Sequence, residues 1–244
     1  MLAIKDGAVF VADAHVNENR TEFLSFLELI NSGKIATTQL FLMGDIFDFL
    51  TGYGCYTAKF YAKYIDLIEQ IALKIEVFYI EGNHDFRLKK LFKNVKIYEI
   101  SKQPVSFFIT ENNEKKSVEI AHGDNFLPFV SKYALLFLRL KWFLKFMNFL
   151  DVLLNFKISK SILQALTKKK LDYKIKNFKG FISPKMRHYD ANFVIEGHYH
   201  QGEIFDIDEK KYLNLPAFAC EQSYFVVEYA HNKIKFAQKS LKGH

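Results

Sequence analysis

The chain has 244 residues, half of them hydrophobic, and a formal net charge of +7. That length and composition suit one large globular domain or two small ones and exclude a disordered or low-complexity chain. The start MLAIKDGAVFVADAH lacks the basic-then-apolar build of a signal peptide, and no stretch of about 18 uncharged apolar residues could span a membrane. Cys55 and Cys220 have no framework spacing and are expected to stay reduced and unpaired.

In chain order, short apolar runs recur and each ends in polar residues. Residues 8–12 (AVFVA) lead into Asp13 and His15, and residues 39–43 (QLFLM) lead into Gly44, Asp45 and Asp48. Residues 77–80 (VFYI) precede Gly82, Asn83, His84 and Asp85, and residues 118–121 (VEIA) precede His122, Gly123 and Asp124. Residues 193–195 (FVI) precede Gly197, His198 and His200. Such runs read as buried strands. Between the first three, Phe23, Phe26, Leu27 and Ile30, then Tyr64, Leu67, Ile68 and Ile71, keep helical spacing, with Gly33 as a stop. Strand–helix–strand alternation predicts parallel pairing and an α/β fold. Beyond His200, residues 211–215, 224–229 and 233–237 read as consecutive strands, expected to be antiparallel.

In open α/β sheets, ligands bind beyond the carboxyl ends of the strands. Five predicted tips deliver Asp13, Asp45, Asn83, His15, His122, His198 and His200 to such an edge. Seven nitrogen and oxygen donors without a thiolate are too many for one ion and suit two ions sharing a carboxylate. Mixed imidazole and carboxylate donors favour Mn²⁺, with Fe²⁺ or Zn²⁺ as alternatives, over Ca²⁺ or Mg²⁺. Asp48 reads equally as a carboxylate supporting a ligand or as a helix cap. His188 reads equally as a substrate contact or a surface residue. His231 and His244 read as solvated.

The motifs D-x-H (13–15), G-D-x-x-D (44–48), G-N-H-D (82–85), H-G-D (122–124) and G-H-x-H (197–200), in this order over about 190 residues, resemble the calcineurin-like metallophosphoesterases. The resemblance implies two facing mixed β-sheets flanked by helices. It implies one metal on Asp13, His15, Asp45 and His200, and a second on Asp45, Asn83, His122 and His198. His84 would orient the phosphoryl group or protonate the leaving oxygen, and Asp85 would orient His84. The implied activity is metal-dependent hydrolysis of a phosphoric diester or anhydride.

Residues 126–190 carry 14 Lys and Arg against 3 Asp, so a basic segment sits in an otherwise mildly acidic chain. Leu135, Leu138, Trp142, Phe146 and Phe149 recur at helical intervals among Lys132, Arg139, Lys141 and Lys145. A second helix is expected from 159 to about 176, including the run Lys168, Lys169, Lys170. The segment reads as a helical cap inserted into a single domain, with more apolar surface than one core-facing stripe needs. Basic flanks on such helices suit an anionic membrane or the rim of an acyl-chain pocket. This insertion, together with EGNHDF, resembles the UDP-2,3-diacylglucosamine hydrolases of bacterial lipid A synthesis, although many of those carry Arg at the position of His84 and Glu at that of Asp48. The resemblance implies a UDP-linked lipid substrate and a cytoplasmic enzyme peripheral on the inner face of the membrane. Phe86, Arg87, Arg139, Arg187 and His188 are candidate substrate contacts, the arginines for a second phosphate. Competing readings are a nuclease or nucleotide phosphodiesterase gripping a phosphate backbone, and a metal-free membrane adaptor. Embedding of the basic residues among Leu and Phe argues against nucleic acid. As a mere cap, residues 130–180 are expected to be removable without loss of activity on a small diester.

Overall fold

A computed structural model describes residues 1–126, 129–230 and 233–243. His231 and His244, expected to be solvated, lie outside them. The strands are β1 (Leu2–Ala3), β2 (Val9–Val11), β3 (Gln39–Leu42), β4 (Leu50–Thr51), β5 (Glu76–Ile80), β6 (Asp85–Phe86), β7 (Lys96–Tyr98), β8 (Val105–Glu111), β9 (Glu114–Ala121), β10 (Phe193–Glu196), β11 (Ile204–Ile207), β12 (Lys210–Asn214), β13 (Ser223–Ala230) and β14 (Lys233–Ser240). The helices are α1 (Glu22–Asn31), α2 (Cys55–Phe60), α3 (Ala62–Ala72), α4 (Phe129–Leu138), α5 (Lys141–Leu153), α6 (Lys157–Thr167), α7 (Phe178–Ile182) and α8 (Phe218–Glu221).

Two six-stranded mixed sheets form the centre. One runs β14-β13-β2-β3-β5-β7 and the other β1-β8-β9-β10-β12-β11. Period-two alternation explains how β2 and β3 serve two cores at once. Val9, Val11, Leu40 and Leu42 face the helices, where the buried stripes of α1 and α3 cover them. Phe10, Phe41 and Phe78 face the second sheet and stack in sequence, with centroids 4.2 and 4.6 Å apart, against Phe107, Val118, Ile120 and Ile195. A parallel strand buried on both faces reads as a continuous apolar run, which is the pattern in the sequence. Gly33 ends α1 as expected, at φ +78°, with its N–H on the Ile30 carbonyl.

The two facing mixed sheets flanked by helices are thus present. One expectation fails beyond His200. β13 and β14 do pair antiparallel, but β12 leaves them for the other sheet, where it lies parallel to β10 and antiparallel to β11. Pairing with β10 buries both faces of β12, with Leu213 in the core between the two sheets and Tyr212 packed with Phe178 and Ile182 of α7 on the other side. Cys55 and Cys220 are free thiols. Among the described residues, no helix is long and apolar enough to cross a membrane.

The insertion is helical, but it is broken into the four helices α4 to α7. α4 stops at Leu138, and Arg139 turns inward before α5 begins. The predicted second helix ends at Thr167 rather than near 176. Past it, three successive lysines add like charge, and the backbone of 171–175 bonds elsewhere: the Leu171 carbonyl accepts from His200 and the Ile175 N–H donates to Gln201.

Candidate metal centre

The tips of β2, β3, β5, β9 and β10 converge between the two sheets. Asp13, His15, Asp45, His198 and His200 all have φ between 43° and 66°. For a residue with a Cβ this left-handed conformation costs about 1–2 kcal/mol. Such strain persists only where the surroundings over-determine it, which is characteristic of functional sites. Here it turns alternate side chains inward from loops too short to do so otherwise. Gly44 (φ +84°) and Gly82 leave the space this requires. A Cβ on Gly44 would lie 2.5 Å from His122 Nδ1, and one on Gly82 would collide with the Asp45 carboxylate.

Donor atoms gather into three overlapping groups, each within 4.8 Å: Asp13, His15 and His200; His15, Asp45 and His84; Asp45, His122 and His198. Asp45 is common to two of them. Its Oδ2 lies 3.9 Å from His15 Nε2, 4.0 Å from His84 Nε2 and 3.5 Å from His122 Nε2. Asn83 Oδ1 sits 3.3 Å from His122 Nε2, and Asp13 Oδ1 3.3 Å from His200 Nε2. The structure therefore brings together all seven residues expected as ligands, with His84 beside them.

Four imidazoles are oriented alike. His122 Nδ1 lies 2.9 Å from the Met43 carbonyl, His200 Nδ1 2.9 Å from Leu171 O, and His84 Nδ1 2.6 Å from Asp48 O. A carbonyl only accepts, so in each ring Nδ1 carries the proton and Nε2 is the edge turned to the site. His15 Nδ1 meets the Asp48 carboxylate at 3.1 Å to the same effect. This is the orientation found behind metal-ligating histidines. Of the two readings of Asp48, the helix cap falls: its buried carboxylate takes His15, Asn17 Nδ2 (2.5 Å) and Arg20 Nη2 (2.7 Å). Asp85, which the family resemblance implied would orient His84, does not do so. Its carboxylate accepts the N–H groups of Asp45 (3.0 Å), Ile46 (2.6 Å) and Gly82 (3.0 Å) and the Tyr79 hydroxyl (2.6 Å), so it shapes the Asp45 loop instead.

The electrostatics follow from burial and proximity. Burial opposes charge on Asp13 and Asp45, yet the imidazoles of His200 and His122 hold both carboxyls below the usual range. Burial also works against a proton on His122 and His200, but Asp45 and Asp13 respectively pull them up. Burial lowers His198 to about 4, helped by His122. Burial and then the Asp45 charge raise Asp85 to about 7. Concentrated buried negative charge thus recruits protons where a cation would otherwise sit. Two atoms aimed into the cluster, Asp13 Oδ1 and His15 Nε2, are buried without a hydrogen-bond partner. Orphaned acceptors among neutral and anionic donors are what a divalent cation satisfies, so the residues fit a metal.

The candidate substrate contacts divide. Phe86 is buried and lines a largely apolar cleft of about 340 Å³ whose lining also includes Asn83, His84, Phe143, Met147, Ile162 and Leu166. Arg87 and Arg139, expected to hold a phosphate, spend their guanidinium groups on the protein. Arg87 bonds Glu99 (2.9 Å) and the Arg139 carbonyl (2.9 Å). Arg139 bonds the Gly82 carbonyl (2.8 Å) and Asp124 (3.2 Å). Arg187 and His188 are exposed on the turn 183–188, within 3.5 Å of each other, and His188 stacks on Phe126. Three residues that sequence reasoning did not single out reach the centre. Lys169 places Nζ 3.1 Å from His84 Nε2, Arg20 braces the His15 carbonyl and Asp48, and Lys185 bonds Gly123 O and buried Glu196. Only the charge of the 168–170 run signalled Lys169; nothing local marked the other two.

The family model described as calcineurin-like phosphoesterase matches residues 8–202. Similar proteins include the UDP-2,3-diacylglucosamine hydrolase of Wigglesworthia glossinidia brevipalpis, 27% identical over 214 residues that cover 84% of this chain and 83% of that one. The enzyme of the same name from Histophilus somni (strain 129Pt) is 26% identical over 201 residues, covering 80% of this chain and 84% of its own. Among solved structures, GAP50, the anchor in the inner membrane complex of Plasmodium, aligns over 97% of this chain and 85% of its own with a TM-score of 0.51 at 14% identity, a likeness of fold alone.

Proposed function

The chain belongs to the calcineurin-like phosphoesterase family, as a metal-dependent hydrolase, and from that premise we propose that it cleaves the pyrophosphate of a UDP-linked diacylated glucosamine to UMP and a lipid monosaccharide phosphate. The observation that carries the reading is the apolar cleft that opens directly onto Asn83 and His84. A largely apolar pocket whose lining also includes Asn83 and His84 of the candidate metal centre suits one molecule in which acyl chains and phosphate are joined. The named activity of the relatives agrees with it.

Asp13, His15, Asp45 and His200 would hold one ion and Asp45, Asn83, His122 and His198 the other, with Mn²⁺ the best match to the donor set and Fe²⁺ or Zn²⁺ as substitutes. When bound, a divalent pair supplies Lewis-acid stabilisation of the phosphoryl oxygens and makes water acidic enough to attack phosphorus near neutral pH. The residues of the chain do the positioning. His84 is pinned through Nδ1–H to Asp48 O, so its Nε2 edge stays at the phosphoryl site. An entering phosphoryl oxygen can take the Lys169 ammonium from His84 in a charge-assisted bond. Phe86 and apolar side chains of α5 and α6 would line the acyl side.

The outer face of α5 supports attachment to the inner surface of the cytoplasmic membrane. Trp142, Phe146, Phe149 and Leu153 form an exposed stripe at spacings of four, three and four residues, flanked by Lys141 and Lys145. Apolar area ringed by lysines suits an anionic bilayer.

The test is mass spectrometry of the products after Mn-loaded protein meets UDP-diacylglucosamine in H₂¹⁸O. The expected result is UMP plus lipid phosphate with one ¹⁸O on a product phosphate. Cleavage of single-stranded DNA with no turnover of the lipid would overturn the proposal in favour of a nuclease.

A further inference from the structure

The insertion is keyed into the metal centre by one buried arginine. Arg139 stands in the break between α4 and α5 and is only 4% exposed. Its Nη2 donates to the Gly82 carbonyl at 2.8 Å and to Asp124 Oδ2 at 3.2 Å, and its guanidinium covers the Phe86 ring at 5.5 Å. Its own carbonyl accepts from Arg87 Nε at 2.9 Å. Gly82 immediately precedes Asn83, and Asp124 follows His122 by two residues. One side chain from the insertion therefore clamps the two loops whose ligands, Asn83 and His122, belong to the same proposed ion. The other proposed ion has different supports: Asp48 behind His15, Leu171 O behind His200, and the His198 N–H on Asp13.

We propose that Arg139 is a positioning residue that sets the separation of the Asn83 and His122 loops, so that seating of the insertion and affinity for the second ion are coupled. This rests on the two-ion reading above. A guanidinium is suited to the task because its N–H groups are held in one plane, so that the two on Nη2 address the Gly82 and Asp124 acceptors in fixed directions, which the freely rotating donors of an ammonium do not. Coupling of this kind is reciprocal: whatever seats the insertion tightens the ion, and the ion favours the seated insertion. The insertion is then no removable cover, and deleting 130–180 abolishes hydrolysis of small diesters as well.

The experiment is equilibrium dialysis against Mn²⁺ with elemental analysis, together with electron paramagnetic resonance, on the full chain, Arg139→Met and Arg139→Lys. Wild type is expected to take up two ions and give the exchange-coupled spectrum of a close pair. Arg139→Met is expected to hold one ion at the same free Mn²⁺ and give an isolated-ion spectrum, with the second affinity down tenfold or more. Arg139→Lys, which keeps the charge but loses the fork, is expected to lie between, and it decides the matter alone if the Met variant does not fold. Two ions bound at wild-type affinity in either folded variant overturn the role assigned to Arg139, as does parallel loss of both ions. Fewer than two ions on the wild type would instead sink the two-ion reading itself.

Discussion

Filling the apolar cleft separates lipid from generic phosphoesterase activity. Met147 on α5 is half-buried and lines the cleft together with Ile162 and Leu166 of α6. In Met147→Trp the indole would occupy the space of about four methylenes of an acyl chain. At ~0.8 kcal/mol per buried CH₂, their exclusion costs up to about 3 kcal/mol of binding realised in the transition state. At 1.36 kcal/mol per decade this is at most about a 200-fold loss in kcat/KM, and about tenfold if half of that chain is already solvated at the open side. The same arithmetic gives about fourfold per methylene for wild type acting on substrates of graded chain length. The assay compares steady-state kcat/KM on UDP-diacylglucosamine and on bis-p-nitrophenyl phosphate, which carries no acyl chain. The expected result is a 10–200-fold loss on the first and less than a twofold change on the second. Equal losses on both, or no dependence on chain length in wild type, would refute the assignment of the cleft to acyl chains.

Other outcomes follow from single contacts. Asp45→Ala removes the carboxylate shared by two donor groups and should abolish metal uptake and turnover together, read by elemental analysis; His84→Ala should keep the metals and lower kcat by about 10²–10⁴-fold, and metal loss there would mean that His84 is a ligand. Lys169→Ala removes a charge-assisted contact worth about 1.5–3 kcal/mol and should lower kcat/KM by about 10–150-fold while metal content stays at two, with wild type but not the variant losing activity steeply in salt. Glu76, held down to about 2 by hydrogen bonds from Lys5, Lys96 and Gln39, has a folded pKa below its unfolded value. Its stabilisation is therefore complete above about pH 4.5 and lost as pH falls toward 2. Urea melts should show wild type more stable than Glu76→Gln at pH 6, with the gap narrowing below pH 4.5 and closing only toward pH 2, and a gap that does not change with pH would count against the linkage.

The sequence by itself determined the strands that matter, because burial on both faces forces continuous apolar runs, and it marked their tips, because a cation needs particular side chains and those have names. Hence Asp13, His15, Asp45, Asn83, His122, His198 and His200 could be read in advance and do converge. It also showed that residues 126–190 differ in kind from the rest. Tertiary structure decided what depends on the main chain at long range. The acceptors that fix three of the imidazoles are the carbonyls of Met43, Asp48 and Leu171, and a carbonyl is the same group in every residue, so no motif records it. Asp85 looked like a partner of His84 by adjacency, yet its carboxylate points at the Asp45 loop. β12 carries a pattern that fits either sheet, and only packing beside β10 chose between them. Arg139 looked like any basic residue on an amphipathic helix; its burial against Gly82 and Asp124 arises where the helix breaks. Side-chain chemistry is local and legible in one dimension, whereas the backbone contacts that aim it exist only after distant segments have met.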